Sequence, residues 1–536
     1  MINRIALFLV TGLLWIAAFG QNSRNANKGT AGFAAIDPAL LHHAAKQIGA
    51  YGRFIAAEAV HGIPRNPART RISGEEPFPF SQHVQPGGIK VDLANGGAVV
   101  QAAALLSGFL VTGDSTLLRQ GLGYADWLVQ AQLERGFWAQ TYIVDPDGRT
   151  WVPWLDYVVR IQDGHQSEPF FLLLYAYRLS GNLKYRDAAV RNADLMLSIQ
   201  NDNGSWPDEY DLSLTSFQGA WTSQRGVRVG GSYNDGATTN SAMQMLHAWA
   251  LTGDGKYLAK LGGIGQWIFD TRLGKGAVCG WCQQYDYYNQ PIQARHFEMP
   301  AIEPRTFVRF VAPHAAWFYA LTADERYADI LRQGYDWLKA IEKPGGWAYQ
   351  YLEDGTPVCG WQFRYLRYDA PQTWPPDSVM GGHAEWRHFT RTNMNLSTVE
   401  RLLAVITAAK ADSLRKLISG PENQQAACTA WQLTAGRRAT DPQVHAKIAR
   451  KWTPGNDRKQ ATNSIWDYIQ FLFDVRVAKK EFSCQMLQDR VSGFNRFFST
   501  EQPPALNWSA GLVHANWLEA PIPNLHERMP RLRPQR

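Results

Sequence analysis

The feature that most restricts how this chain can fold is a turn that returns about every seventy residues. It reads Thr112-Gly113-Asp114, Ser180-Gly181-Asn182, Thr252-Gly253-Asp254 and Thr322-Ala323-Asp324. Thirteen residues after each Asp or Asn stands a large apolar residue: Trp127, Leu195, Trp267 and Trp337. Ten to fourteen residues further on, a tryptophan is followed at the fourth place by a tyrosine. These pairs are Trp138/Tyr142, Trp206/Tyr210, Trp281/Tyr285 and Trp347/Tyr351, with Trp361/Tyr365 in addition. Each unit reads as helix, short turn, helix, long loop, and the stretch "AMQMLHAWALTGDGKYLAKLGGIGQWIFD" carries the apolar periodicity of two helices around such a turn. Repeated helical hairpins either stack openly or close into a ring. Four similar units with long aromatic loops favour the ring, so the expected class is all-α, an α/α toroid spanning residues 38–395.

A second register supports the first. Nineteen residues before each marker lie Asn95, Asp163, Asp235 and Arg305, the first three each followed by Gly. Asn or Asp at this place reads as a helix N-cap, its side-chain oxygen taking an orphan backbone N–H. It also reads as a site: in a ring of hairpins these helix starts share one end with the W-x-x-x-Y loops, and helix N-termini favour anions. Both readings stand for Asp235.

The ends differ from the repeat. Arg4, the apolar run Ile5–Ala18 and the small-x-small triplet Ala18-Phe19-Gly20 read as a signal peptide over residues 1–20, with a polar linker over 21–37. The chain is therefore expected to be secreted or periplasmic, without stable membrane insertion once the segment is cleaved. Removing Arg4 takes the formal net charge from +7 to +6, which suits an acidic partner. No basic run has the pattern of a nucleic-acid module, so nucleic acid is not expected. From about residue 396 to 536 the repeat stops, and a C-terminal helical extension opens with a capping box at Ser397-x-x-Glu400. Five cysteines are too few for a disulfide framework, and Cys279-x-x-Cys282 has the spacing of a redox pair or half a zinc site, but no second pair or His cluster completes the latter and neither is expected. The 21 tryptophans suit stacking on sugar rings, and equally a helical core filled with large side chains.

Four blocks carry further information: Gly204-Ser-Trp-Pro-Asp-Glu-Tyr-Asp-Leu212, Tyr233-Asn-Asp-Gly-Ala237, Trp281-Cys-Gln-Gln-Tyr-Asp286, and Pro291-x-x-Ala-Arg-His-Phe-Glu-x-Pro300. In this order they resemble the family 10 pectate lyases, whose blocks read G-W-P-x-x-Y-P-L, F-N-D-x-A, W-x-Q-Q-H-D and P-x-x-A-R-x-x-E-x-P. The resemblance covers roughly residues 165 to 370 and implies a helical toroid that cleaves an acidic polysaccharide by calcium-assisted β-elimination. The chemistry accounts for the residue types. A uronate carboxylate must be neutralised before its C5 proton becomes acidic enough to leave. A base then takes that proton. Calcium wants carboxylate oxygens, and arginine grips a carboxylate with two parallel bonds.

By this resemblance Asp235 and Asp286 are the calcium and catalytic acids, and Arg295 and Glu298 match the A-R-x-x-E block. The family's W-A-R-F-Y block, whose arginine looks like its base, reads Trp347-Ala-Tyr-Gln-Tyr351 here. Tyr349 therefore holds the place of the base, with Arg364 and Arg367 nearby to take over. Trp206, Tyr210, Asn234, Trp281, Tyr285, His296, Glu298, Trp347, Tyr351 and His165 are the expected substrate-binding residues. Two other readings stay open: a glycoside hydrolase using Asp208, Glu209, Asp235 or Asp286 as a carboxyl pair, and a non-catalytic carbohydrate-binding toroid. Gln132-x-x-x-Gly-Phe-Trp138 and Gln200-x-x-x-Gly-Ser-Trp206 also resemble a terpenoid-cyclase motif, but the acid stretch that chemistry needs is missing.

Overall fold

The computed structural model describes residues 36–63, 88–93, 97–153, 156–213, 230–293, 298–344, 346–361, 364–367, 391–392, 394–408, 435–452 and 458–481. The expected signal peptide, nearly all of the linker, Asn95, Arg295 and His296 lie outside these residues. The fold class is the one expected, an all-α arrangement of repeated helical hairpins with a few short strands. The hairpins pair α2 (Ala98–Thr112) with α3 (Ser115–Ala131), α4 (Ser167–Ser180) with α5 (Leu183–Ser198), α6 (Ala237–Thr252) with α7 (Lys256–Asp270), and α8 (Ala312–Thr322) with α9 (Glu325–Ala340). They are preceded by α1 (Pro38–Glu58) and followed by α10 (Ser397–Ala408), α11 (Pro442–Ile448) and α12 (Arg458–Ala478).

The marker turn has one stereochemical plan in all four hairpins. The Thr or Ser hydroxyl donates to the carbonyl four residues back: Thr112 to Gly108, Ser180 to Ala176, Thr252 to Ala248 and Thr322 to Phe318, all at 2.7–2.8 Å. The next residue takes a left-handed conformation that ends the helix, which glycine adopts without strain and Ala323 adopts at φ 57°. The Asp or Asn side chain then accepts an N–H from the start of the second helix, Thr116, Lys184, Lys256 or Arg326.

The W-x-x-x-Y pair is the matching device at the far end of each hairpin. Trp138 Nε1 donates to Leu128 O, Trp206 to Met196 O, Trp281 to Ile268 O and Trp347 to Leu338 O, all at 2.8–2.9 Å. These carbonyls belong to the last turn of the second helix, where none has an intrahelical partner. The Tyr142, Tyr285 and Tyr351 hydroxyls each accept the backbone N–H three residues earlier. Their rings meet Trp127, Trp267 and Trp337 edge to face, at 5.4, 5.9 and 5.4 Å, each with an interplanar angle of 79°. The tryptophans that stand thirteen residues after the turn are thus the ones that meet the tyrosines of the W-x-x-x-Y loops.

Two compact units are present. One takes the described residues up to Leu195 together with those from 435 onward, and the other runs from Met196 to α10. The boundary expected near residue 396 is therefore not where the molecule divides. In the first unit, α12 packs on α1 and α2. Arg476 Nη1 donates to Leu110 O at 2.6 Å, and Arg438 holds the buried Asp474 at 2.6 Å. In the second unit, α10 packs on α8 and α9. Its expected capping box is not formed as such: Asn395 accepts the N–H of Ser397 at 2.9 Å, and Glu400 instead accepts the Tyr335 hydroxyl at 3.0 Å. No helix among the described residues is long and apolar enough to cross a membrane.

Candidate functional site

The expectation that Trp206, Trp281, Tyr285, Trp347 and Tyr351 offer stacking faces to a sugar is corrected by their packing. Trp206, Trp281 and Tyr285 are 0% exposed and Trp347 and Tyr351 3%. A large aromatic ring whose polar atom closes a helix end is already committed on both faces. Tyr210 differs, being half-buried.

What the loops do is hold a charged segment. The Glu303 N–H donates to Trp281 O, and Ile302 and Tyr351 exchange both backbone hydrogen bonds, each at 2.8 Å. Gln350 Nε2 donates to Met299 O at 3.3 Å. The stretch from Glu298 to Glu303 is thereby laced between two W-x-x-x-Y loops of the second unit. Within Trp281-Cys-Gln-Gln-Tyr285 the rings face the core, while the two glutamines reach acids. Gln283 Nε2 donates to Glu303 Oε1 at 3.4 Å, and Gln284 Nε2 donates to Asp208 Oδ2. Asp208 Oδ2 also accepts Asn234 Nδ2 at 3.3 Å. The Oε1 atoms of Gln283 and Gln284 are buried with no hydrogen-bond partner among the described residues.

Asp235 enters from the start of α6. It is not the N-cap that its position suggested, because α6 has no side-chain cap, and neither does α4 behind Asp163. Asp235 instead adopts φ 44° and ψ 29°, followed by Gly236 at φ 76°. A non-glycine residue with positive φ is uncommon and tends to mark a site whose surroundings force it. Gly236 is fixed twice over, since a Cβ there would lie 2.5 Å from Asn240 Nδ2.

Around Asp235 the second unit collects a cluster that the sequence only half revealed. A single turn at Pro304–Thr306 leads into a π-helical segment, Phe307–Val311, and then into α8. Arg305 and Arg309 project from this start, four residues apart. Arg305 Nε lies 3.9 Å from Glu303 Oε1, and its guanidinium carbon sits 5.7 Å from the centre of the Tyr349 ring. Glu303 is 1% exposed, whereas the Arg305 side chain keeps 26% of its surface. Burial, with Glu298 adding to it, pushes the Glu303 carboxyl up to about 7, against the pull of Arg305, Arg309 and a hydrogen bond from Tyr349. Burial and the charge of Arg305 bring Arg309 down to about 10, against Glu303, Tyr349 and Asp235. For Arg305 burial also opposes the charge, but Tyr349, Glu303, Asp235 and Glu298 outweigh it, so its pKa is raised. Tyr349 itself is 1% exposed behind these arginines.

The other expected residues lie as follows. Glu298 is buried within the electrostatic reach of Arg305 and Glu303. Asp286 forms its own turn, its Oδ1 accepting the N–H groups of Tyr288 and Gln290 at 2.8 Å each. His165 is buried at the start of α4 in the first unit, its Nδ1 2.9 Å from Gln162 O. Arg364 lies in the strand Arg364–Arg367, paired with Trp361, and its side chain is outside the described residues, as are Arg295 and His296. Cys279 and Cys282 are buried free thiols pushed up by burial to about 11 and about 12, which suits neither redox nor metal chemistry.

The pair Asp235 and Asp286 was expected to hold calcium, and the donors around them do not fit that ion. Calcium takes about six to eight oxygens. One Asp286 oxygen is spent on two backbone donors, and Asp235 lies in the field of two guanidinium groups. Among the described residues no group of three or more His, Cys, Asp or Glu side chains is arranged to hold a metal.

Glu303 and Arg309 escaped the sequence reading. Arg305 was visible only as the member of the nineteen-residue register that reverses its charge. Residues 164–314 match the family model described as pectic acid lyase. Among solved structures, the family 10 polysaccharide lyase from Cellvibrio cellulosa is 16% identical, with a TM-score of 0.39, covering 58% of this chain and 96% of that one. A variant of it in complex with trigalacturonic acid is 17% identical, with a TM-score of 0.35, covering 50% and 89%. An unsaturated glucuronyl hydrolase specific for heparin is 10% identical, with a TM-score of 0.39, covering 83% and 99%. No curated protein matches the chain. Over residues 164–314 this chain is similar to the pectic acid lyases.

Proposed function

We propose that the chain is a polysaccharide lyase that cleaves an acidic, uronic-acid-containing polysaccharide such as pectate by β-elimination. The observation that carries this reading is the arginine pair just before α8, within the segment that matches the pectic acid lyases, in the field of Asp235 and with Arg305 backed by Glu303 and Tyr349. Arg305, held in its charged form, grips the uronate carboxylate and draws charge from C5. Arg309, the guanidinium whose proton is least firmly held, takes the C5 proton when neutral. The electrons of the C5–H bond form the C4–C5 double bond, the C4–O bond breaks, and the departing oxygen takes a proton from water. Tyr349 stands where the family carries its base, but it is buried and hydrogen-bonded to Glu303. Its part is to position Glu303 and, through it, Arg305. Asp235, half-buried in its strained turn, orients the arginines and the sugar hydroxyls. The apolar segment Ile5–Ala18 supports export to where such polymers occur.

A second reading, a glycoside hydrolase, is favoured by one observation. A buried carboxyl pushed up to about 7, as Glu303 is, is what a general acid needs, with Asp208 or Asp235 as its partner. One experiment separates the readings: purified protein is incubated with polygalacturonate, alginate, glucuronan and glycosaminoglycans. Ultraviolet absorbance of the unsaturated product and new reducing ends are followed together. Both signals rising in step supports the lyase, and reducing ends alone support the hydrolase. Neither signal, with retained binding, leaves a carbohydrate-binding protein.

A further inference from the structure

We infer that Arg305 takes the place of a divalent cation at this site, so that the uronate carboxylate is neutralised by the chain itself and turnover needs no calcium. The inference rests on the lyase reading above and deepens it. Elimination beside a carboxylate requires a positive charge on that carboxylate, and the charge must come from a metal or from a side chain. In this chain one of the two acids that the family pattern would give to calcium has an oxygen committed to its own turn, and the other lies in the field of two guanidinium groups. Asp286 Oδ1 closes a turn on the N–H groups of Tyr288 and Gln290. Asp235 has Arg305 and Arg309 as its cationic neighbours.

Arg305 is built in rather than loosely attached. It follows Glu303 by two residues, and the Glu303 N–H is tied to Trp281 O at 2.8 Å. Its guanidinium lies over the Tyr349 ring, within 4 Å of the Glu303 carboxylate. The part of its surface that stays exposed is therefore presented in a fixed orientation. A planar fork fixed in this way can grip one carboxylate through two parallel bonds, which a spherical ion cannot impose.

The test is the initial rate of unsaturated-end formation on polygalacturonate, measured in chelator and again with calcium chloride restored. Calcium chloride is also titrated directly into the wild-type protein by calorimetry. The expected result is a rate changed by less than about twofold by the chelator, with no saturable heat of calcium binding. Arg305→Gln is expected to raise KM by more than about tenfold, and Arg305→Lys to raise it less. A rate abolished by chelator and restored by calcium, or a calcium isotherm that Asp235→Asn removes, overturns the inference and leaves the lyase intact. No unsaturated product from any uronate polymer under either condition overturns the lyase reading, and this inference falls with it.

Discussion

The starts of α4 and α6 are two versions of one device. Asp163 at φ 59° precedes Gly164 at φ 79°, and Asp235 at φ 44° precedes Gly236 at φ 76°. Three residues after each Asp, a side chain grips the preceding tryptophan loop. Gln166 both accepts the Trp138 N–H and donates to the Trp138 carbonyl, and the Thr238 hydroxyl does the same for Trp206. The charge around the two turns differs. Asp163 has Arg160, three residues earlier in its own segment, at 3.8 Å, with both side chains partly exposed. Asp235 has Arg305 and Arg309, which belong to the next helix start. A repeat thus copies backbone geometry from unit to unit. Chemistry appears where one unit departs from the copy, as Arg305 does by putting a cation at the place the register gives to Asn or Asp.

The widest expected gap between the two turns is in catalysis. Arg309→Ala should lower kcat on the preferred uronate polymer by about a thousandfold, while Arg160→Ala should change it by less than about threefold, read as initial rates of product formation. The kcat of the wild type should rise with pH towards about 10, where burial and Arg305 place the Arg309 titration. A flat alkaline limb would sink Arg309 as the base.

Stability should separate the units next. Glu303 holds its proton more tightly folded than unfolded, since burial moves it from 4.5 to about 7. Between those values the folded state binds more protons than the unfolded one, so stability present below about pH 4.5 is lost as pH rises through about 7. The loss is on the order of 3 kcal/mol. Glu303→Gln should flatten that slope in denaturant titrations at several pH values.

A smaller difference is expected from the paired acids. Asp235→Asn should cut activity by about ten- to a hundredfold, and Asp163→Asn by less than about twofold, with melting temperatures close to wild type in both. Equal losses would show that the second turn is scaffolding like the first. The smallest effect should be the same on both sides. Trp138→Phe and Trp281→Phe each remove one donor to a last-turn carbonyl and should each cost about 1 to 2 kcal/mol in unfolding.

How much of this was legible depends on the range of the forces involved. The Thr-Gly-Asp turn, the second-helix caps and the Trp/Tyr spacing involve contacts within about one hairpin, so they leave a period in the sequence. Asp235 was legible too, through its register and its Asn-Asp-Gly setting, but its role was not. Whether an Asp before a helix caps it or bends away from it depends on the φ of one residue, and spacing does not report φ. The tryptophans were misread for a related reason. A ring that closes a helix end and a ring that stacks on sugar have the same composition, and only burial separates them.

By itself, then, the sequence determined an all-α chain of hairpins, where each hairpin turns, and a likeness to the pectic acid lyases over residues 164–314. Only the tertiary structure decided that Glu303, Arg305 and Tyr349 meet, that Arg305 and Arg309 feel the charge of Asp235, and that Asp286 spends an oxygen on its own turn. The physical reason is that hydrogen-bonded turns and caps are local and repeat with the chain. Charge–charge coupling in a buried place depends on distance and desolvation, which are fixed only when separate segments are brought together.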